Sequence, residues 1–340
     1  MSLIGRGFEL GGTLTGASGN ATALWAMAWD AQAGVRSLVA VDDLRAAYAN
    51  PQTRLWIDLT DPGADLLRQL GELLGLHPLV VEDIVERNQR AKIELTGGVL
   101  HLVMFQLEYA GELLSSEIDI VLTERFLLTA HAPDIDVAGA PFLRRGADSY
   151  LAEGTDYLLW AITDRLVDDY FPVFDKLADE LDGLEDDVMR RPSTWIVERI
   201  FDVRRELLVI RHAVMPQREI FNQLTNRDLP MIKSERVIFF RDVYDHLIRL
   251  TDELDSQREL VATTLDIYLS QVNNNLSETV KRLTAVTVIL AGAGALAGIF
   301  GMSEAGLALG FADLRFWLVA GAIVLLGSLG VLFFRRIGWI

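Results

Sequence analysis

A chain of 340 residues with a formal charge of −17 and no cysteine excludes two broad readings at once. A nucleic-acid binder needs a basic face for its phosphate contacts, whereas this balance favours cations as partners. Disulfides and thiolate metal sites are ruled out with the cysteines, a composition that fits the reducing cytosol.

From Met1 to about Pro141 the periodicity is mixed. Strand-like runs stand at Leu55 to Leu59, Leu100 to Gln106, Ile118 to Leu122 and Phe126 to Ala130, with amphipathic helical stretches at Ala64 to Leu74 and Pro78 to Glu86 between them. This predicts an α/β module. From Asp156 the pattern is helical, and Arg191-Pro192, Pro216 and Pro230 predict breaks into helical hairpins, because proline lacks a donor and fixes φ. The acidic run Asp175, Asp179, Glu180, Asp182, Glu185, Asp186 and Asp187 reads as a solvated helix face that also concentrates cations. His77, His101, His131, His212 and His246 show no close ligand spacing and read as structural.

From about Glu235 an apolar stripe, Leu247, Leu250, Leu254, Val261, Leu265, Tyr268, Val272, Leu276 and Val280, continues in steps of three, four and seven with no breaker. One helix from Glu235 to Phe300 would be about 100 Å long at a rise of about 1.5 Å per residue. It enters an uncharged run, Leu283 to Ser303, and a second uncharged run follows at Phe316 to Phe334. Each has about the twenty residues needed to cross about 30 Å of hydrocarbon. Lys281 and Arg282 precede the first span, Arg335 and Arg336 follow the second, and the loop between them has one basic residue against Glu304 and Asp313. The positive-inside bias places both termini in the cytoplasm of a multi-pass protein of the inner (plasma) membrane. No apolar run follows Met1 to suggest export of the amino-terminal part.

The expected organisation is therefore a cytosolic α/β domain over 1–150, cytosolic helical hairpins over 151–234 and a long stalk helix over 235–282. A first membrane helix over 283–303, a periplasmic loop over 304–315, a second membrane helix over 316–334 and a basic cytosolic end over 335–340 complete it.

A stalk of that length cannot bury its stripe alone, and two spans enclose no route through a bilayer; self-association about a central axis answers both. Gly294 and Gly298 have the small-xxx-small spacing that lets helices approach closely. A plain membrane anchor fits the same glycines. The sharper reading is a pore face of Asn273, Ser277, Val280, Thr284, Thr287, Ala291, Gly294 and Gly298, in steps of three and four. Magnesium gives up its waters reluctantly, so a lane of small neutral groups suits a partly hydrated ion. No Walker glycine loop, nucleophile elbow, zinc-protease helix or dinucleotide fingerprint occurs, so the sequence speaks for neither a pump nor an enzyme.

Several segments in fixed order, Trp56-Ile57-Asp58-Leu59, His77 to Ile84 (HPLVVEDI), Tyr157 to Phe171, Phe240 to Leu247 (FRDVYDHL), Asn273 to Thr284 and AGIFGM, resemble the CorA-type divalent metal cation transporters across nearly the whole chain. The resemblance implies a funnel-shaped homopentamer in membrane lipid, with five long helices around a passive path for Mg2+, extending to Co2+ and Ni2+. It also implies regulatory Mg2+ sites in which Asp83 and Asp242 face each other across a subunit boundary, with Glu82 and Asp164 near a companion site. Where the family has Gly-Met-Asn at the outer end of the first span, this chain has Gly301, Met302 and Ser303, a shorter hydroxyl replacing an amide. Ser277 stands where the family's inner pore asparagine falls, with Asn273 one turn earlier, and these two are expected to form the inner polar constriction. Glu304 and Asp313 would draw cations to the outer mouth. A ZntB-type zinc transporter, kept open by the altered tripeptide and by Leu207 to Phe221, and a non-conducting membrane-anchored metal sensor are the competing readings.

Overall fold

In the computed structural model, residues 13–15, 21–38, 40–135, 137, 141–190, 192–303 and 314–339 are described. The elements in order are β1 (Thr13–Thr15), β2 (Ala21–Asp30), β3 (Gly34–Leu38), α1 (Val41–Tyr48), β4 (Arg54–Thr60), α2 (Ala64–Leu74), α3 (Pro78–Glu86), β5 (Lys92–Thr96), β6 (Val99–Tyr109), β7 (Leu113–Leu122) and β8 (Phe126–His131). The helices α4 (Pro141–Glu153), α5 (Thr155–Asp168), α6 (Phe171–Arg190), α7 (Thr194–Asn226), α8 (Val237–Ser303) and α9 (Leu314–Arg336) follow. Two compact units result, one of residues 1–183 with 199–261 and the other of 184–198 with 262–340.

In the first unit an eight-stranded sheet runs β1-β2-β4-β8-β7-β6-β5, with β3 also paired to β2. Neighbours are antiparallel except β4 and β8, which are parallel and central. All four strand-like runs expected from the sequence lie within β4, β6, β7 and β8. Strand residues alternate between faces, so Leu55, Ile57 and Leu59 of β4 join Val121, Leu128 and Ala130 in one core beneath α1, α2 and α3. Arg54, of the opposite parity, donates from Nη1 to the carbonyls of Leu151 and Ala152 in α4 at 2.7 Å each, which sets α4 on the other face.

Local chemistry fixes α2 and α3, the second of which carries Glu82 and Asp83. Gly75 ends α2 with φ at 72°, the left-handed conformation glycine adopts without strain. A Cβ on Gly71 would lie 2.8 Å from Val81 Cγ2, so glycine permits the close contact of α2 with α3. The α3 start is capped by His77, whose Nδ1 accepts from Leu79 N–H at 3.2 Å, with Pro78 next in the chain. His77 is thus structural, as the sequence reading has it.

The expected break at Pro216 does not occur, since α7 runs unbroken from Thr194 to Asn226. Proline leaves the carbonyl of His212 without its helical donor. Burial of Ala213, Val214 and Gln217 holds the segment in place. Gln217 Nε2 donates to Ala213 O at 3.0 Å, and Tyr170 Oη donates to Gln217 Oε1 at 2.9 Å. Tertiary packing outweighs local propensity here.

The acidic run on α6 is also not solvent-facing throughout. Arg199 on α7 donates to Glu180 Oε2 at 2.7 Å and to the Tyr109 hydroxyl at 3.0 Å, and pairs with Glu206 at 3.4 Å. These partners raise the Arg199 pKa further, with the Glu180 hydrogen bond as the main cause and burial opposing it. Asp175, Asp179, Asp182, Asp186 and Asp187 are exposed, as expected.

Candidate functional site: a polar helix face and two carboxylate clusters

One continuous helix of 67 residues, α8, carries most of the residues singled out for conduction. At 3.6 residues per turn, Asn273, Ser277, Val280, Thr284, Thr287, Ala291, Gly294 and Gly298 fall within about 100° of arc. All eight are exposed. The lining that includes Ile289, Gly292, Ala293 and Leu296 lies on the far side of the helix and meets Ile323, Leu326, Gly327 and Gly330 of α9 around a small apolar hollow of about 220 Å³. A Cβ on Gly330 would approach Ile289 Cγ1 to 3.3 Å. Between α8 and α9 the glycine in close contact is therefore Gly330, while the space about Gly294 and Gly298 is open among the described residues. The polar line points away from α9.

One hydroxyl on this line has a defined polarity. Thr287 Oγ1 donates to Leu283 O at 2.8 Å, so its proton is committed to the backbone and its oxygen lone pairs remain as acceptors. Neutral acceptors of this kind can replace water around a cation without fixing it in place. Gly301, Met302 and Ser303 form the last turn of α8, and Glu304 and Asp313 lie outside the described residues.

The first carboxylate cluster joins α5 to α8. Asp164 is half-buried, and its pKa is pushed up to about 6 by burial, then by the charge of Asp168, with Asp242 adding to this and His246 opposing it. His246 Nδ1 lies 3.5 Å from Asp168 Oδ1. The fold thus brings together Asp164 and Asp242, both named from the sequence, and adds Asp168 and His246. Asp242 is exposed and has no ion-pair partner among the described residues. Like charges gathered in this way repel one another and favour either a proton or a bound cation.

Asp83 stands in a second cluster, with Lys92 and Glu94. Its Oδ2 lies 2.7 Å from Lys92 Nζ, which is also 3.4 Å from Glu94 Oε1. Burial works against the charge on Lys92, yet the hydrogen bond and charge of Asp83, aided by Glu94, hold its pKa above the ordinary value. Close by, His101 Nε2 and Asp119 Oδ1 form a fully buried pair at 2.8 Å. Glu117 is pushed up to about 7 by burial and then by Asp119, while the Gln89 N–H and Arg87 oppose the shift. Glu82 is exposed and borders an apolar groove between α2 and α3.

Sequence spacing had not united Glu94 or His101 with Asp83. A ligand atom from each of the three lies within 4.8 Å of the others. Strand register does this, since Glu94 and His101 are directly paired across β5 and β6.

An α/β sheet domain continues into helices of which two, among the described residues, are long and apolar enough to cross a bilayer, with a neutral polar line along the first, the pattern of a membrane protein. The family described as "CorA-like Mg2+ transporter protein" matches residues 51–336, and the chain belongs to that family. It is 35% identical over 262 residues to the cobalt/magnesium transport protein CorA of Thermotoga maritima, covering 75% of each chain. The complete structure of the CorA magnesium transporter from Methanocaldococcus jannaschii superposes with a TM-score of 0.78 at 25% identity, covering 93% of this chain and 98% of that one. A more distant relative is the zinc transport protein ZntB of Cronobacter sakazakii, 25% identical over 165 residues and covering 48% of this chain and 50% of the relative.

Proposed function

We propose that this chain is a subunit of a homopentameric, channel-like transporter that carries Mg2+, and with it Co2+ and Ni2+, passively into the cell. The observation that carries this reading is the exposed neutral line of α8 on the side opposite α9. Five such helices about an axis would turn these lines inward, with α9 of each subunit outside. A membrane potential of about 100 mV supplies about 2.3 kcal/mol per charge, hence about 4.6 for a divalent ion, so no nucleotide is needed. Both termini would be cytoplasmic in the inner membrane, with Gly301, Met302 and Ser303 at the outer end and Asn273 with Ser277 as the inner constriction. Glu304 and Asp313 would draw cations to the outer mouth.

Gating would follow from the carboxylates. Cytosolic Mg2+ bound between Asp83 of one subunit and Asp242 of the next, and near Glu82 and Asp164, would screen their repulsion and hold the closed assembly. Shifting a ratio from 1:99 to 99:1 takes about 5.5 kcal/mol, or about 1.1 at each of five boundaries.

A ZntB-type zinc transporter is the second reading, favoured by Ser303 and by the ZntB relative. Uptake into liposomes loaded with a metal indicator, comparing Mg2+ with Zn2+ at controlled pH, decides between them. Magnesium uptake that rises with potential supports the first reading; zinc uptake driven by a pH gradient supports the second. Neither ion entering would leave a membrane-anchored metal sensor.

A further inference from the structure

The cluster at the β5 edge of the sheet holds more than the gating reading uses. Lys92 and Glu94 alternate on β5, His101 follows on β6 and Glu117 with Asp119 on β7, and the pairings Glu94 with His101 and Lys92 with Val103 and Asp119 place these residues on the face that Asp83 meets from α3. Four carboxylates thus share a half-buried space with one ammonium and one imidazole.

The imidazole is the informative member. His101 is fully buried, Asp119 holds its Nε2, and its Nδ1 has no hydrogen-bond partner among the described residues. A carboxylate on one ring nitrogen fixes the ring and raises the basicity of the other, as in the outer shell of many metal-ligating histidines. An orphaned buried nitrogen is costly unless something occupies it. The ligand atoms of His101, Asp83 and Glu94 already lie within 4.8 Å of one another.

We infer that Asp83, Glu94 and His101 form a binding site for a transition-metal dication of the Co2+, Ni2+ or Zn2+ class within a single subunit, in which the Lys92 ammonium is the resident cation that the metal displaces. One imidazole with two carboxylates selects borderline metals, whereas Mg2+ prefers oxygen and its own waters. The ammonium of Lys92 bridges Asp83 and Glu94, so it fills the seat when metal is absent. Because Asp83 is shared with the proposed Mg2+ contact, a bound transition metal would remove that carboxylate from the gate. The site itself needs neither a pore nor a pentamer.

The test is a Co2+ titration of the purified full-length chain in lipid nanodiscs, followed by visible absorption in excess Mg2+. The parent should show a saturable band that Mg2+ does not abolish. Glu94→Gln and His101→Asn should each weaken Co2+ binding by roughly tenfold or more, in the range seen when metal-site partners are removed. Lys92→Met should tighten it, and His212→Asn, on an exposed position of α7, should leave it unchanged. Glu94 is half exposed, so its variant keeps the fold even where the buried His101 variant does not. Unchanged binding in Glu94→Gln, or loss in His212→Asn instead, would overturn the assignment. Since the readout is binding, it is independent of whether the protein conducts Mg2+ or Zn2+.

Discussion

The two units of this chain solve the burial problem in opposite ways. In the first, Leu55, Ile57, Leu59, Leu100, Leu102 and Ile120 are wholly enclosed, and most charged groups that enter the interior find partners. In the second, Leu283, Leu290, Ile299, Leu318, Leu325 and Phe333 are more than half exposed, and the most apolar windows of the two long helices are only 6% and 0% buried. The stripe on α8 crosses this divide: Leu247, Leu250, Leu254 and Val261 are buried, whereas Val272, Leu276 and Val280 are 41%, 60% and 52% exposed. One sheet domain completes its core within a single chain. The helices require lipid or further copies of the chain.

The contrast is broken or upheld most strongly by substitutions of similar chemistry in each unit. Ile57→Ala should destabilise the sheet domain by about 2–5 kcal/mol, because its side chain leaves a cavity that neighbours on both sides cannot fill. Val280→Ala, on an exposed helix face, should change unfolding by less than about 0.5 kcal/mol. Denaturant melts in detergent followed by circular dichroism read both. An equal loss at Val280 would mean that this face is already packed within one chain.

Function should show the reverse order of sensitivity. Ser277→Leu would place an apolar ring at the inner constriction of the proposed pentamer. A barrier raised by about 1.4 kcal/mol slows passage about tenfold. Potential-driven Mg2+ uptake in liposomes should fall by at least that factor with the assembly intact. Unchanged flux would remove Ser277 from the conduction path.

How much was legible in the sequence follows the same divide. Periodic apolar runs disclosed β4, β6, β7, β8, α2 and α3, and the uncharged stretches disclosed both long apolar helices. Strand β2 escaped because two of its three buried residues, Ala26 and Ala28 beside Leu24, carry little hydrophobic signal. Strand β5 escaped because it is short and polar, reading KIELT at the sheet edge. Pro216 misled because a buried helix tolerates a lost hydrogen bond that an isolated one would not. Asp164 and Asp242 were each named by resemblance, but at different sites, and their nearness to one another came only with the docking of α5 on α8. Glu94 and His101 beside Asp83 were not, since cross-strand register and helix docking leave no local spacing to read.

Asp242→Asn sharpens the contrast from the side of regulation. In the proposed assembly it removes one of two facing carboxylates at each boundary, about 1.1 kcal/mol of Mg2+-dependent closure apiece. The Mg2+ concentration that halves the current should rise, while the fold, in which Asp242 makes no ion pair among the described residues, is unaffected. Currents with the parent's Mg2+ dependence would detach Asp242 from the gate.

The smallest effect belongs to Glu117, where the otherwise well-paired sheet domain carries a liability. Its carboxyl is raised to about 7 by burial and by Asp119, against about 4.5 when unfolded. The folded chain therefore holds a proton that the unfolded chain releases between these values, so stability is full below about pH 4.5 and declines as pH rises through about 7. Its partial exposure lets water screen the charge, which holds the cost to about 1 kcal/mol. Glu117→Gln keeps an acceptor for the Gln89 N–H, now 3.1 Å from Glu117 Oε2, and removes the charge. Its melting temperature should match the parent at pH 4.5 and exceed it at pH 8. A constant offset at both values would mean that Glu117 acts through packing, and that the first unit accommodates its buried charges better than the raised carboxyl implies.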